Sequence, residues 1–318
     1  MKQKADRRKF LKNSVLLGAA VAGAPLLNSC SGSGGNPVLS PTGTETAMAI
    51  VTGTDYEKAA RLAVTALGGL HRFVPKGAKV AILANAQRNN PGVFTRPLIV
   101  KTIIQMCLEQ GAADVACLSW LPLRNWDDTG LTAAVTEAGG RLLLADNKNE
   151  ALFKTVPVPR GKALKEARIM NEFFNYDVLI NMPITKDHAG NRFTGTLKNL
   201  MGLNSPLSNR TFHKPDWTSN PDAVKHLDQC IADLNTIITP ALCIVDATEF
   251  IITNGPFGPG KLHAPHKVVA GTDRVALDAY CCTLWGLSPT DIIMINEAAA
   301  HNLGRMDFSK LARIEGEV

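Results

Sequence analysis

From residue 56 onward, the apolar positions of the chain switch repeatedly between two spacings. Recurrence at three and four residues predicts helices over 57–70, 96–109, 130–138, 162–174, 222–238, 273–285 and 289–301, the last with Ser288 as cap and Pro289 at its first position. Short, nearly continuous apolar runs predict strands over 79–85, 113–120, 141–145, 177–182, 242–252 and 267–270. Strands alternating with helices of this length imply an α/β fold, a mostly parallel sheet with helices on both faces, built as one large domain or two lobes. In such sheets ligands bind beyond the carboxyl ends of the strands. The loops after the strands are therefore the places to look for chemistry.

The chain has 318 residues, 45% hydrophobic and 19% charged, which is too apolar for disorder and enough to bury a full core. Its longest apolar run, residues 15–27, is interrupted by Gly and Pro and is short for a membrane span. The net charge of +6 suggests at first an anionic partner. However, six cations and one acid within residues 1–29 account for +5 of it. The remainder, at +1, argues against nucleic acid as a partner.

That basic start has the pattern of an export signal. Arg7-Arg8 followed by Phe10-Leu11-Lys12 resembles the twin-arginine motif, with the apolar stretch 15–27 behind it. Leu26-Leu27-Asn28-Ser29-Cys30 then resembles a bacterial lipobox with Asn28 an unusual member. The Gly-, Ser-, Thr- and Pro-rich residues 31–48 have the composition of a linker. The expectation is a signal peptide over 1–29, a linker over 30–48, and an α/β domain over 49–318. Export through the twin-arginine translocase and a lipid anchor on Cys30 would place that domain in the periplasm or cell envelope.

Two loops could carry chemistry. The strand 177–182 runs into a segment holding Lys186, His188, Arg192, Thr194, Lys198 and Asn199. A helix starting near Thr194 would put Thr194 and Lys198 one turn apart, and a helix N-terminus beside cations suits an anion. Gly190 and Gly195 have the spacing of a phosphate loop, but Thr196 stands where its lysine must be, which excludes nucleotide hydrolysis on that motif. The second loop follows the strand 242–252 and contains Asn254, His263 and His266. Pro265 between the two histidines argues against a helical metal-binding pair. Asp246 lies inside an apolar run, where an acid needs a partner or a task. Asp273 is placed to cap the following helix, and Asp278 sits among apolar neighbours on it. Glu297 and His301 are one turn apart, as a surface pair would be.

Besides Cys30, six cysteines remain, none in a Cys-x-x-Cys arrangement, so an intrinsic iron–sulfur cluster or zinc ribbon is not expected. Cys107, Cys117, Cys230 and Cys243 sit in apolar elements as core residues.

Several of these stretches together resemble the bacterial and archaeal family called domain of unknown function 362. They are Ile180–Pro183 with Lys186, His188 and Thr194–Gly202; Ile231–Leu234; Ile244–Ala247 with Asn254-Gly255-Pro256; Gly271–Ala279; and the loop Asn89–Gly92 with Thr95–Pro97. The resemblance covers about residues 77–318. It departs from the family's pattern at Leu83-Ala84-Asn85, where many relatives carry a lysine before the asparagine, and in lacking the cluster-binding cysteines that many relatives have. It implies an α/β fold but no settled activity.

The functional expectation is a site for a small anionic molecule or a metal. Lys186, Thr194, Lys198 and Asn199 would bind the ligand, with Asn254, Asp273 and Asp278 as an opposing polar wall. His188 and Asp246 would transfer protons if the protein is an enzyme. The alternative expectation is a non-catalytic envelope binding protein, or an accessory protein assisting redox or metal enzymes. The cofactor, if any, is not specified by the sequence.

Overall fold

The computed structural model describes residues 48–318. The signal, lipobox and most of the linker expected at the N-terminus lie outside the described residues.

The strands in chain order are β1 (Met48–Thr52), β2 (Lys79–Ala84), β3 (Asp114–Ser119), β4 (Arg141–Leu144), β5 (Phe153–Pro157), β6 (Glu166–Met170), β7 (Val178–Met182), β8 (Leu242–Ala247), β9 (Phe250–Ile251), β10 (Leu262–His263), β11 (Lys267–Gly271) and β12 (Arg313–Glu317). The α-helices are α1 (Tyr56–Ala66), α2 (Pro97–Glu109), α3 (Leu123–Asp128), α4 (Leu131–Glu137), α5 (Thr196–Asn199), α6 (Pro206–Phe212), α7 (Pro221–Leu234), α8 (Arg274–Thr283) and α9 (Ile293–Ala300).

Eight strands form one sheet in the order β12-β1-β11-β8-β7-β2-β3-β4. Five of its seven pairings are parallel; β11 runs antiparallel to both of its neighbours. The fold is thus the mostly parallel α/β sheet expected from the alternation of spacings.

The period of two along each strand divides the interior into two cores. In β2, Ala81 and Leu83 face one core with helices α5, α7, α8 and α9, while Val80, Ile82 and Ala84 face the other with α1, α2 and α4. Strands covered on both faces have no solvated side, which is why β2, β7 and β8 read as nearly continuous apolar runs, interrupted by Asn181 in β7 and Asp246 in β8. Local signals start the helices as well. Asp55 accepts the Lys58 N–H at the start of α1, Pro97 opens α2, and Asp273 accepts the Ala276 N–H at the start of α8.

Three elements differ from expectation. Residues 162–174 form no helix. They give β6 and a 3₁₀ turn over Asn171–Asn175, because β6 pairs antiparallel with β5 and buries Ala167 and Ile169 at a spacing of two. The expected strand 242–252 ends at Ala247. There Asp246 accepts the N–H of Thr248 at 3.0 Å and its hydroxyl at 2.7 Å, turning the chain out of the sheet before β9. Pro289 opens a 3₁₀ turn over Pro289–Asp291, and the α-helix itself starts at Ile293. Strands β1, β5, β10 and β12 and helices α3 and α6 had no sequence prediction, and β9 falls within the strand expected over 242–252.

The six described cysteines are all buried with free thiols. No helix among the described residues is long and apolar enough to cross a membrane.

Candidate ligand-binding site

The parallel strands β2, β3 and β7 end side by side, and the loops beyond their carboxyl ends enclose a cleft of about 170 Å³. The loop after β2 supplies Asn85, Ala86 and Gln87. The end of β3 supplies Ser119, Trp120 and Leu121. The segment after β7 supplies His188, Thr194, Lys198, Asn199 and Met201, and α6 with the residue after it supplies Asn209 and His213. This is the position that the sheet rule predicts. In volume it resembles a cavity that holds a ligand of benzene size.

The segment after β7 is built by buried polar contacts. Asn181, inside β7, donates to the Thr196 carbonyl at 2.9 Å, and Asn199 donates to the Leu83 carbonyl and to Asn181 Oδ1. These bonds fix α5 against the ends of β2 and β7. Helix α5 begins at Thr196 and has only four residues, so Thr194 precedes it. Its first turn is already satisfied from within. Asp278 Oδ1 accepts the Thr196 N–H at 2.6 Å, and Asp278 Oδ2 accepts the Leu197 N–H at 3.0 Å. A carboxylate of the protein thus occupies the helix start where a ligand anion was expected. The fit requires Gly195, where a Cβ would lie 2.3 Å from Asp278 Oδ1.

The charge in the cleft comes from Lys198. It is the only Lys or Arg in the lining, which contains no Asp or Glu. Its Nζ donates to Asn191 Oδ1 at 3.1 Å, and Asn191 in turn donates through Nδ2 to Asp228 on α7. Asp228 also accepts the Met294 N–H at the start of α9. Burial pulls the Lys198 pKa down and pushes that of Asp228 up, while each charge opposes the other's shift. The chain Lys198–Asn191–Asp228 therefore supplies a counter-charge one residue removed, leaving ammonium N–H capacity at the cleft.

Two histidines border the same space, and both are neutral by environment. Burial, reinforced by the Lys198 charge, holds the His188 pKa well below its ordinary value; the same two causes lower that of His213. His188 Nδ1 lies 2.6 Å from the Ala189 carbonyl and His213 Nδ1 lies 2.8 Å from the Asn209 carbonyl. A carbonyl only accepts, so each Nδ1 carries the proton and each Nε2 keeps its lone pair. Both rings pack on Trp217, with centroids 5.3 and 4.8 Å away. Two further polar atoms of the lining residues, Thr194 Oγ1 and Trp120 Nε1, are buried without a hydrogen-bond partner. In a folded interior such atoms are rare and call for a partner.

The structure thus brings His188, Thr194, Lys198 and Asn199 into one cleft and separates the other expected residues from it. Lys186 is fully buried behind the lining. Its Nζ donates to the carbonyls of Val93 (2.7 Å) and Pro256 (3.0 Å) and lies 3.5 Å from Gln87 Oε1, tying three loops together. Asp246 accepts from the Arg96 N–H and twice from Thr248, and it borders a different cleft. Asn254 is exposed and donates to the Pro259 carbonyl. Asp273 caps α8 and accepts the Arg305 N–H. Asp278 caps α5. The three acids are thus engaged within the protein, and the expected wall of Asn254, Asp273 and Asp278 is not part of the cleft.

Glu297 and His301 do not pair with each other. Glu297 meets Lys162 at 2.7 Å, and His301 meets the buried Asp233 at 2.7 Å. His266 bonds the Tyr56 hydroxyl, and His263 packs edge-on to Phe250. Among the described residues no group of three or more His, Cys, Asp or Glu is placed to hold a metal ion.

Sequence reasoning missed His213, Trp120, Asn191 and Asp228. Asp228 alone left a legible signal, an acid beside Leu227 and ahead of Cys230 and Ile231 on a helix with an apolar face. The others lie in loops or beside a short helix without periodicity.

A family model for a domain of unknown function (DUF362) matches residues 79–283, which include the ends of β2, β3 and β7, the whole cleft and α8. The chain belongs to this family. A thylakoid-associated protein of Synechocystis sp. is 27% identical over 248 residues, covering 75% of this chain and 72% of that protein. Among solved structures, the lactate racemase apoprotein of Thermoanaerobacterium thermosaccharolyticum aligns over 72% of this chain at 15% identity with a TM-score of 0.43. A protein from Thermotoga maritima aligns over 59% at 15% identity with a TM-score of 0.41. The alignments span 55% and 50% of those two chains.

Proposed function

We propose that the cleft binds a small organic anion, a carboxylate or a phosphate ester, with Lys198 as its charge partner and His188 as a general base. The observation that carries this reading is the makeup of the lining, in which one buried lysine faces the cleft with no acid beside it. Thr194 and Trp120 add unpartnered polar atoms. An anion would replace the water that Lys198 and the indole N–H lose on burial. The His188 imidazole, neutral with Nε2 unprotonated, can accept a proton from a ligand carbon or hydroxyl held against the lysine. The size of the cleft favours a ligand of a few heavy atoms over a nucleotide.

The N-terminal motifs support export and a lipid anchor at Cys30, with the domain at the envelope surface. A membrane location is also in keeping with the thylakoid association of the Synechocystis relative.

The test is thermal unfolding of the purified protein against a panel of small carboxylates and phosphate esters. At least one should raise the midpoint, and Lys198→Ala should abolish that rise while the fold is retained. An unchanged rise in K198A would remove the lysine clamp. For the address, Cys30→Ala should release the protein from membranes into the soluble fraction.

A further inference from the structure

A second cleft, about 260 Å³ in volume, shares no lining residue with the first. It lies where the loop between β2 and α2 meets the turn after β8, and its lining includes Pro91, Gly92, Phe94, Arg96, Asp246 and Glu249. Two opposite charges border it without pairing. Arg96 is held by a bond from Nε to the Thr248 hydroxyl at 2.9 Å, with its guanidinium 4.4 Å from the centre of the Tyr56 ring. Its terminal nitrogens have no hydrogen-bond or ion-pair partner among the described residues. Glu249, partly exposed, makes no hydrogen bond or ion pair there either. Asp246, the remaining acid of the lining, is fully engaged by the Arg96 N–H and by Thr248.

Gly92 seats this loop against β9 and β10. Gly92, at φ +73°, takes a conformation that favours glycine, and a Cβ there would lie 2.9 Å from the Ile251 nitrogen and the Phe250 carbonyl carbon. Arg96 is oriented before any ligand arrives, since its ring stack and its Nε bond leave the terminal N–H pair as the remaining donors. A ligand carboxylate can take that pair in a bidentate bond, a ligand ammonium can take Glu249, and Pro91 and Phe94 offer an apolar surface for the carbon between them.

We infer that this second cleft is a binding site for a small zwitterion, an amino acid or ω-amino acid, whose carboxylate meets Arg96 and whose ammonium meets Glu249. The site is independent of the anion cleft, so either assignment can fail alone.

The experiment is isothermal titration of the full chain with glycine, β-alanine and γ-aminobutyrate, which differ in charge separation, and with propionate and propylamine as singly charged controls. The best of the three zwitterions should bind at least tenfold more tightly than either control. Glu249→Gln alters a partly exposed side chain that holds nothing else, and it should remove that advantage. Lys198→Ala should leave it in place. The assignment is overturned if no zwitterion outdoes the controls, if the advantage survives in E249Q, or if it disappears in K198A, which would move the binding to the first cleft.

Discussion

Asp278 closes the helix that carries Lys198, accepting the Thr196 N–H at 2.6 Å from the neighbouring helix α8. With the second bond, to Leu197, it satisfies two of the first-turn donors that a short helix cannot satisfy itself. The lysine's position therefore rests on a carboxylate that lies outside the cleft lining. Asp278→Asn keeps the shape but turns one acceptor into a donor facing an N–H, and it should cost about 1–3 kcal/mol. Gly195→Ala drives a methyl into the same carboxylate and should act in the same direction. Urea denaturation checks both.

Asp278 also gives stability a pH dependence of known sign. Burial outweighs the two backbone bonds and pushes its pKa up to about 7. An unfolded aspartate titrates near 3.9, so between these values the native state holds a proton that the unfolded chain lacks. This contribution is fully present below about pH 4 and declines as pH rises to 7. Denaturation of the wild type and D278N at pH 4.5 and 7.5 should show a smaller decline in the variant.

Lys198 and Asp228 act as one unit through Asn191. Removing either charge leaves the other buried with its main counter-charge gone, which is costlier than removing both. In a double-mutant cycle, Lys198→Met and Asp228→Asn should each destabilise the fold, and their combination should destabilise it by less than the sum. The expected coupling is about 1–3 kcal/mol. Asn191→Ala should lower it toward zero.

How much of this was legible follows from the range of each interaction. The alternation of spacings gave the sheet and the segment after β7 because burial on both faces is written locally in strands such as 178–182. Position at the end of a buried strand likewise brought His188, Thr194, Lys198 and Asn199 together. The acids could not be assigned from their neighbourhoods. Asp246 was expected to need a partner, and two of its bonds come from Thr248 two residues on, but the third comes from the Arg96 N–H 150 residues away, and the partner of Asp278 at Thr196 is 82 residues away. A buried acid announces that it needs hydrogen bonds without saying whether a ligand or the backbone supplies them. The helix expected over 162–174 failed for a related reason. Its apolar residues also fit a spacing of two, and the pairing with β5 decided between the readings.

Thr194 should separate stability from binding. Its hydroxyl oxygen is buried without a partner, which costs the folded protein the water it had when unfolded. Thr194→Val keeps the volume and removes the oxygen, so the unliganded protein should gain up to about 1 kcal/mol. The same change should weaken binding of the anion proposed for the cleft, seen as a smaller ligand-induced rise in the unfolding midpoint. A loss of stability without any change in ligand response would show the hydroxyl to be structural.

Lys186 gives the opposite pH signature from Asp278. It is fully buried, and three oxygens face its ammonium with no carboxylate among them. Burial, followed by the repulsion of Lys198, lowers its pKa to about 7. An unfolded lysine titrates near 10.4, so between pH 7 and 10 the unfolded chain holds a proton that the native state has released. Stability from this group is present above about pH 10 and is lost as pH falls through 7, with a slope of at most about 1.4 kcal/mol per pH unit. Lys186→Met removes the titration and strands the carbonyls of Val93 and Pro256, so it should destabilise the fold at every pH. The pH profile of the difference carries the information. The wild type should gain on K186M as pH rises from 7 to 10, whereas a constant difference over that range would mean that the lysine keeps its proton in the folded protein.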